Sequence, residues 1–340
     1  MLTLRVTGTK HQLHPPTVYE MSHDYSPASA MRFELTVPAD MAGLRLDQAL
    51  AKLLPEHSRS RIANWVKSEQ VRVQGGAAKP KQKVWGGERI EIDAAPTPEV
   101  TAYRAEALAL DIVHEDDELI VLDKPAGLVV HPGSGNWQGT MLNALLHHAD
   151  ALAALPRAGI VHRLDKDTSG LLVVAKTLQA HTSLVRQLQE RSVTRLYCAF
   201  VHGAVDRPGE VDAPIGRHPT QRTRMAIVSA GRSARTRYRP VERYSCATRL
   251  ECQLDTGRTH QIRVHLTSIG HPLIGDPVYK SGAQRPLPPE VNLQRQALHA
   301  MKLELDHPRS GVRMRWHSRL PADLRCVLQQ LRNASGDDTA

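Results

Sequence analysis

From position 159 to 176 the chain reads Gly-Ile-Val-His-Arg-Leu-Asp-Lys-Asp-Thr-Ser-Gly-Leu-Leu-Val-Val-Ala-Lys, a dense polar cluster set between two short β-branched runs. Residues 160–164 and 171–174 have strand composition. Residues 166–170 have turn chemistry, with a glycine able to take positive φ, so the stretch is expected to run strand, turn, strand. If 161–165 is extended, alternation puts Arg163 and Asp165 on one face and His162 and Leu164 on the other. A carboxylate then sits beside a guanidinium at a strand end, where a reacting group is easily presented. On this spacing alone, a hairpin with a surface ion pair is the simpler reading.

Two other chemistries share these letters. His162-Arg-Leu-Asp165 resembles a kinase catalytic loop, but no Asp-Phe-Gly follows, no glycine-rich phosphate loop precedes, and the chain has only Phe33 and Phe200 as phenylalanines. Asp165 and Asp167 are a carboxylate pair, yet residues at i and i+2 of a tight turn need not converge on one glycosidic bond.

A chain of 340 residues with 41% hydrophobic content can bury one or two cores, and two domains are expected. The net charge of +9 favours a polyanionic partner without identifying it. The four cysteines, Cys198, Cys246, Cys252 and Cys326, form no Cys-x-x-Cys pair, so neither a zinc site nor a disulfide framework is implied. No apolar run reaches 18 residues and no signal-like segment opens the chain, which points to the cytoplasm.

Residues 1–30 lack periodicity and are expected to be a disordered extension, with Met21 or Met31 as alternative starts. A small domain is expected over 31–93. Leu46, Leu50, Leu53 and Leu54 recur at helical spacing up to Pro55; Ser58 is a candidate N-cap for a second helix burying Ile62, Trp65 and Val66. Arg59, Arg61 and Lys67 then face outward, where charge is often only a solvated surface. Residues 94–110, opening Ala-Pro-Thr-Pro-Glu, are expected as a linker, 111–332 as the large domain, and 333–340 as a frayed tail.

Within the large domain, 119–122 has buried-strand composition and Thr140 and Thr177 are candidate helix caps. Arg195-Leu-Tyr197 opens a strand with Tyr197, Ala199 and Val201 on one face; a tyrosine there is commonly a core residue. Between Ile215 and Val241 lie eight basic residues, among them Arg217, Arg222 and Arg224, and no acidic one, a run hard to explain as a solvated face. Leu254-Asp-Thr-Gly-Arg258-Thr-His260-Gln-Ile-Arg263-Val-His-Leu266 follows. Thr259 is expected to cap its helix, Ile262, Leu266 and Ile269 to form the apolar stripe, and Gly270 to end it.

The polar stretch around Asp165 resembles the central motif of the RluA-type family of RNA pseudouridine synthases, with Arg195-Leu-Tyr197 and the Arg258 to Leu266 segment matching further signatures in order. Leu44-Arg-Leu-Asp-Gln-Ala-Leu50, Ser58-Arg-Ser-Arg-Ile62 and Val71-Arg-Val73 are similar to the alpha-L RNA-binding domain shared with a small-subunit ribosomal protein. The resemblance implies an α+β pseudouridine synthase fold with a mixed, mostly antiparallel central sheet, plus a small N-terminal RNA-binding domain.

It further implies that uridine in large-subunit ribosomal RNA, free or in a preribosomal particle, is isomerised without a cofactor. Asp165 would be the nucleophile, Tyr197 the stacking residue and Arg263 the partner of the aspartate. Arg163, Arg217, Arg222, Arg258 and His260 would bind substrate, with Arg59, Arg61 and Lys67 on RNA phosphates. A monomer is expected. Two alternatives stay open: a synthase acting on transfer RNA or another ribosomal site, and a non-catalytic assembly factor using the same basic surfaces.

Overall fold

The computed structural model describes residues 31–55, 57–94, 103–133, 135–280, 282 and 286–336. The expected extension at 1–30 lies outside them. The chain divides into two compact units between Thr97 and Pro98.

The first unit is a four-stranded antiparallel sheet, order β1 (Met31–Thr36), β4 (Arg89–Ala94), β2 (Val71–Val73), β3 (Gly76–Ala77), with α1 (Leu46–Leu53) and α2 (Arg59–Lys67). Its apolar residues fall at helical spacing on the helices and alternate on β4, so Leu46, Leu50, Ile62, Trp65, Ile90 and Ile92 close into one core. Ser58 caps α2, its side chain accepting from the Arg61 amide at 3.3 Å. The outward basic residues are partly engaged at home. Arg59 reaches Asp47 at 3.3 Å, and the Arg61 guanidinium lies 5.4 Å from the Trp65 ring centre.

The second unit is built on a nine-stranded mixed sheet. Its order is β5 (Ile112–Glu115), β6 (Leu119–Lys124), β7 (Ser169–Ala175), β14 (Leu298–Asp306), β8 (Thr194–His202), β13 (Ala247–Leu254), β12 (Arg235–Arg243), β9 (Gly209–Asp212), with β15 (Arg313–His317) also paired to β14. Only the β7–β14 pair is parallel. Beside it, β10 (Ile215–Arg217) and β11 (Met225–Ile227) make a short hairpin.

Helices cover both faces of the central strands. Tyr197, Ala199, Val201, Leu172 and Val174 pack with Met141, Leu142 and Leu145 of α3 (Met141–His148) and Ile262 and Leu266 of α5 (Gln261–Ser268). On the other face, Val173 packs with Leu184 of α4 (Leu178–Gln189), and Phe200 with Leu324 and Val327 of α6 (Ala322–Gly336). Coverage on both sides explains why β6 and β7 are near-continuous apolar runs. Thr140 and Thr177 cap α3 and α4 as expected. Among the described residues no helix is long and apolar enough to cross a membrane.

Four expectations differ. Residues 160–164 form no strand: Ile160 alone bridges to Val174, because Arg157, Ala158 and Gly159 all take positive φ and turn the chain before it can pair. Asn333 to Gly336, placed in a tail, complete α6, held by Leu331 in the core and Arg332 on Glu242. Of the expected linker, Ala94 ends β4, while Arg104, Glu106 and Leu110 bond to or pack on the large unit. The arginines of β12 have carboxylates after all: Arg235 meets Asp212 and Arg237 meets Asp255, at 2.8 and 2.7 Å, and Arg239 meets Glu251. Those partners come from β9, β13 and the following turn, so the local run hid them.

Candidate active site

A cleft of about 830 Å³ opens over the end of the sheet where β7, β8 and β13 meet α5. It gathers Asp165, Tyr197, Arg263, Arg163, Arg258 and His260 from three separate stretches of the chain. Arg217 and Arg222 are not on it. They sit at the β10–β11 hairpin, where the Arg217 guanidinium donates to the Arg222 carbonyl at 3.0 Å.

Asp165 lies in the loop before β7, and the loop is tied at each successive carbonyl. The Asp165 carbonyl accepts from the Thr168 amide, that of Lys166 from the Gly127 amide and Lys124 Nζ, and that of Asp167 from Arg295 Nη1, at 2.9–3.1 Å. Lys124 is buried, and its Nζ also donates to the carbonyls of Pro125 and Leu128. Burial pulls this ammonium down to about 8, against the pull of Asp167 and Asp165. The loop can approach β14 only because residue 170 is a glycine at φ 113°; a Cβ there would collide with the Ala300 backbone. The sequence segment 166–170 therefore makes a fixed platform, not a mobile turn.

Arg263 projects from α5 into this platform. Its Nη1 donates to Asp165 Oδ2 at 3.2 Å, while Nε and Nη2 donate in a fork to Asp276 at 2.7 and 3.0 Å. Asp276 is wholly buried and also accepts from the amides of Val278 and Tyr279. Tyr279 packs its ring 5.0 Å from the guanidinium. Burial alone would lower the Arg263 pKa, but the hydrogen bonds and charges of the two aspartates hold it above its ordinary value. The fork leaves Asp165 one hydrogen bond from Arg263, on Oδ2; among the described residues Oδ1 accepts none. A carboxylate with one oxygen uncommitted and facing a cleft is equipped for nucleophilic or basic chemistry.

The helix carrying Arg263 starts one residue later than expected. His260, not Thr259, precedes it, in the left-handed region at φ 56° and without a side-chain cap. Gln261 takes over the stapling: its Oε1 accepts from the Arg258 amide and Thr256 hydroxyl, and its Nε2 donates to the Arg235 carbonyl and Thr236 hydroxyl. The strained backbone aims His260 at Tyr279, Nδ1 to Oη 2.8 Å. That hydroxyl also accepts from the Met225 amide at 2.8 Å. Burial first lowers the His260 pKa, and Arg263 adds to this against the pull of Asp165.

Tyr197 is 4% exposed and forms part of the cleft wall beside Leu254, Ile262 and Leu298. Burial, and then the nearby Asp165 charge, raises its pKa against the pull of Arg195, so the phenol stays neutral. Seven arginines line the cleft against two aspartates, and Asp255 is already paired with Arg237. Burial, then Arg232 and Arg191, depresses the Arg258 pKa, as expected where like charges gather. Such a cleft attracts a polyanion. Among the described residues, no group of three or more His, Cys, Asp or Glu side chains is placed to hold a metal ion.

Sequence reasoning missed Asp276, Tyr279, Lys124, Gln261, Arg157, Arg191 and Arg232 as site residues. Asp276 stood within reach of notice, as the lone acid in Gly270-His-Pro-Leu-Ile-Gly-Asp276, but its partner is fixed only by the fold.

The site's histidines make stability depend on pH. Burial first, then Arg157 and Arg163, lowers His131 to about 4; burial, then Arg195, lowers His162 to about 3. His162 Nε2 accepts from the Val173 amide at 3.1 Å, a bond that needs the neutral ring. Both folded values lie below the unfolded 6.5, so the unfolded chain binds more protons and stability falls as pH drops from about 6.5 toward 4 and then 3. Urea unfolding followed across that window should give an uptake of at least about two protons per molecule at pH 5. A pH-independent midpoint would contradict it.

Residues 118–268 match the family model described as RNA pseudouridylate synthase, and residues 44–90 match the S4 domain. The chain is 60% identical over 302 residues to a ribosomal large subunit pseudouridine synthase D of Nitrosomonas europaea, covering 88% of each chain. It is 52% identical to the Pseudomonas aeruginosa protein of that name, covering 87% of this chain and 94% of that one. The corresponding Escherichia coli protein is 49% identical, with 90% and 96% covered. Among solved structures, human RNA Pseudouridylate Synthase Domain Containing 4 superposes with a TM-score of 0.52 at 26% identity, covering 65% of this chain and 92% of that one.

Proposed function

This chain belongs to the RNA pseudouridylate synthase family, and from that premise we propose that it isomerises chosen uridines of large-subunit ribosomal RNA, acting in the cytoplasm as a monomer. Asp165 is the reacting group. The observation that carries this is the Asp165 carboxylate at the cleft, 3.2 Å from Arg263 Nη1 and with Oδ1 uncommitted among the described residues. The relatives' names support the substrate, as does the S4 match.

In the reaction the bond from N1 to ribose C1′ breaks, the uracil turns, C5 bonds to C1′, and the proton leaving C5 is balanced by one gained at N1. A fixed carboxylate can attack C1′, add to C6 or remove the C2′ proton, and each route needs it ionised and within reach. A stacked uridine is out of reach, so the nucleotide is turned out of its helix, at a cost of a few kcal/mol. Stacking on Tyr197 recovers about 1–3 kcal/mol, and Arg163, exposed at the cleft, fills the vacated place. Arg258 and His260 hold the nucleotide. Arg217 and Arg222 on the hairpin, and Arg59, Arg61 and Lys67 on α2, grip phosphates farther along the RNA.

Mapping pseudouridine in ribosomal and transfer RNA from cells lacking the gene tests the substrate. Loss at a few large-subunit uridines, restored by the wild-type gene, is the expected result. Loss confined to transfer RNA would overturn the substrate while leaving the chemistry.

A further inference from the structure

Among the described residues, Arg195 is a buried cation without a counter-ion. It is 6% exposed, lines the cleft, and stands two residues before Tyr197 on β8. Its one hydrogen bond is Nη2 to the Leu254 carbonyl at 3.5 Å, the outer limit for such a contact, and its Nε is buried with no partner. No carboxylate lies in ion-pair contact with it among the described residues. Asp255, whose charge reaches it, is bound to Arg237 at 2.7 Å. The fold makes room for the head group: a Cβ at Gly257 would stand 2.9 Å from Nη1.

A protein buries an unpaired charge only at a cost, and ordinary packing gives no reason to keep one here. The missing partner belongs to a ligand. Residues two apart on a strand are separated by about 7 Å, so a six-membered ring resting on Tyr197 has an edge within reach of the Arg195 guanidinium. We propose that Arg195 and the space left by Gly257 form a subsite for the carbonyl edge of the target uracil, which takes up the negative charge the ring acquires as its glycosidic bond is attacked.

This rests on the synthase reading but not on a choice among its routes. If Asp165 bonds to C1′, or if C2′–H is removed, the electron pair of the N1–C1′ bond leaves with the uracil and spreads over N1, O2 and O4. If Asp165 adds to C6, the displaced pair passes through C5 to O4 as an enolate. Each path loads a carbonyl oxygen, and each returns the charge when C5 has bonded to C1′ and the C5 proton has been given up. A guanidinium aimed at that oxygen before reaction needs no reorganisation when the charge appears.

Because its charge is unpaired, Arg195 differs from a structural arginine in what its removal does. Arg195→Gln should melt no lower than wild type, since a neutral side chain relieves the desolvation cost. Its single-turnover rate at saturating RNA should fall about a hundredfold, with the dissociation constant for the RNA within about threefold. Arg195→Lys should recover part of the rate. Replacing O4 or O2 of the target uridine by sulfur, a poorer acceptor, should slow the wild type and add little to Arg195→Gln.

A lowered melting temperature with weakened RNA binding would make Arg195 structural and overturn the proposal. So would a rate loss that thio-substitution leaves additive. If Arg195→Gln weakened binding and kept its rate, the side chain would serve a phosphate and the uracil subsite would be wrong. A wild type that forms no pseudouridine would instead sink the synthase reading, and the subsite with it.

Discussion

Asp165→Asn is expected to bind its RNA with near wild-type affinity and to form pseudouridine at least about four orders of magnitude more slowly. The amide keeps the shape of the carboxylate and still accepts from Arg263 through its oxygen, so the loop tied by Thr168, Gly127, Lys124 and Arg295 should hold its course. What it lacks is a charged, uncommitted oxygen. Single-turnover conversion of a large-subunit RNA fragment, with binding measured separately, separates the two effects. Turnover within tenfold of wild type would remove Asp165 from the chemistry and favour a non-catalytic assembly role for the same surfaces.

Arg263→Met should damage both stability and rate. Asp276 is fully buried and takes the guanidinium fork; with the fork gone its charge keeps only the amides of Val278 and Tyr279. Breaking a buried pair from one side costs about 3–5 kcal/mol, which urea unfolding at pH 7 should register. Asp165, 15% exposed, also loses the ion pair that orients it, so the rate of surviving folded protein should drop about a hundredfold or more. Arg263→Lys should restore part of the stability and little of the rate, because an ammonium cannot fork onto Asp276 while reaching Asp165. An Arg263→Met protein with unchanged urea midpoint would mean that the Asp276 fork contributes nothing to the fold.

Local chemistry made much of this molecule readable. Ser58, Thr140 and Thr177 announce helix starts because a cap is a bond within three residues. Gly270, at φ 86°, ends α5 for an equally local reason. Tyr197, Ala199 and Val201 share a face because a strand alternates. Asp165 and Arg263 could be named from their motifs, although 98 residues separate them. What stayed hidden is non-local. No spacing rule links Asp276 to Arg263, Asp212 to Arg235, or Lys124 to the carbonyl of Lys166, since each pair is set by how loops return across the sheet. The start of α5 was misread because Thr259 is a good cap by composition, whereas the staples made by Gln261 hold His260 in a conformation that composition disfavours. β1 escaped notice although Phe33 and Leu35 alternate with polar residues, its six residues being too few to stand out from their surroundings.

The tie on the Asp167 carbonyl comes from Arg295, 128 residues further on, and Arg295 is itself gripped in a fork by Asp323 at the start of α6, at 2.6 and 3.0 Å. Polypeptides grow from the N-terminus at about 5–20 residues per second, so this clasp is made on the order of ten seconds after the aspartate it steadies. During that interval the nascent chain carries Asp165 in a loop whose tie to Arg295 has not yet formed. The order of synthesis thus places the basic residues of α2 in the chain well ahead of the helix that completes the clasp on the Asp165 loop.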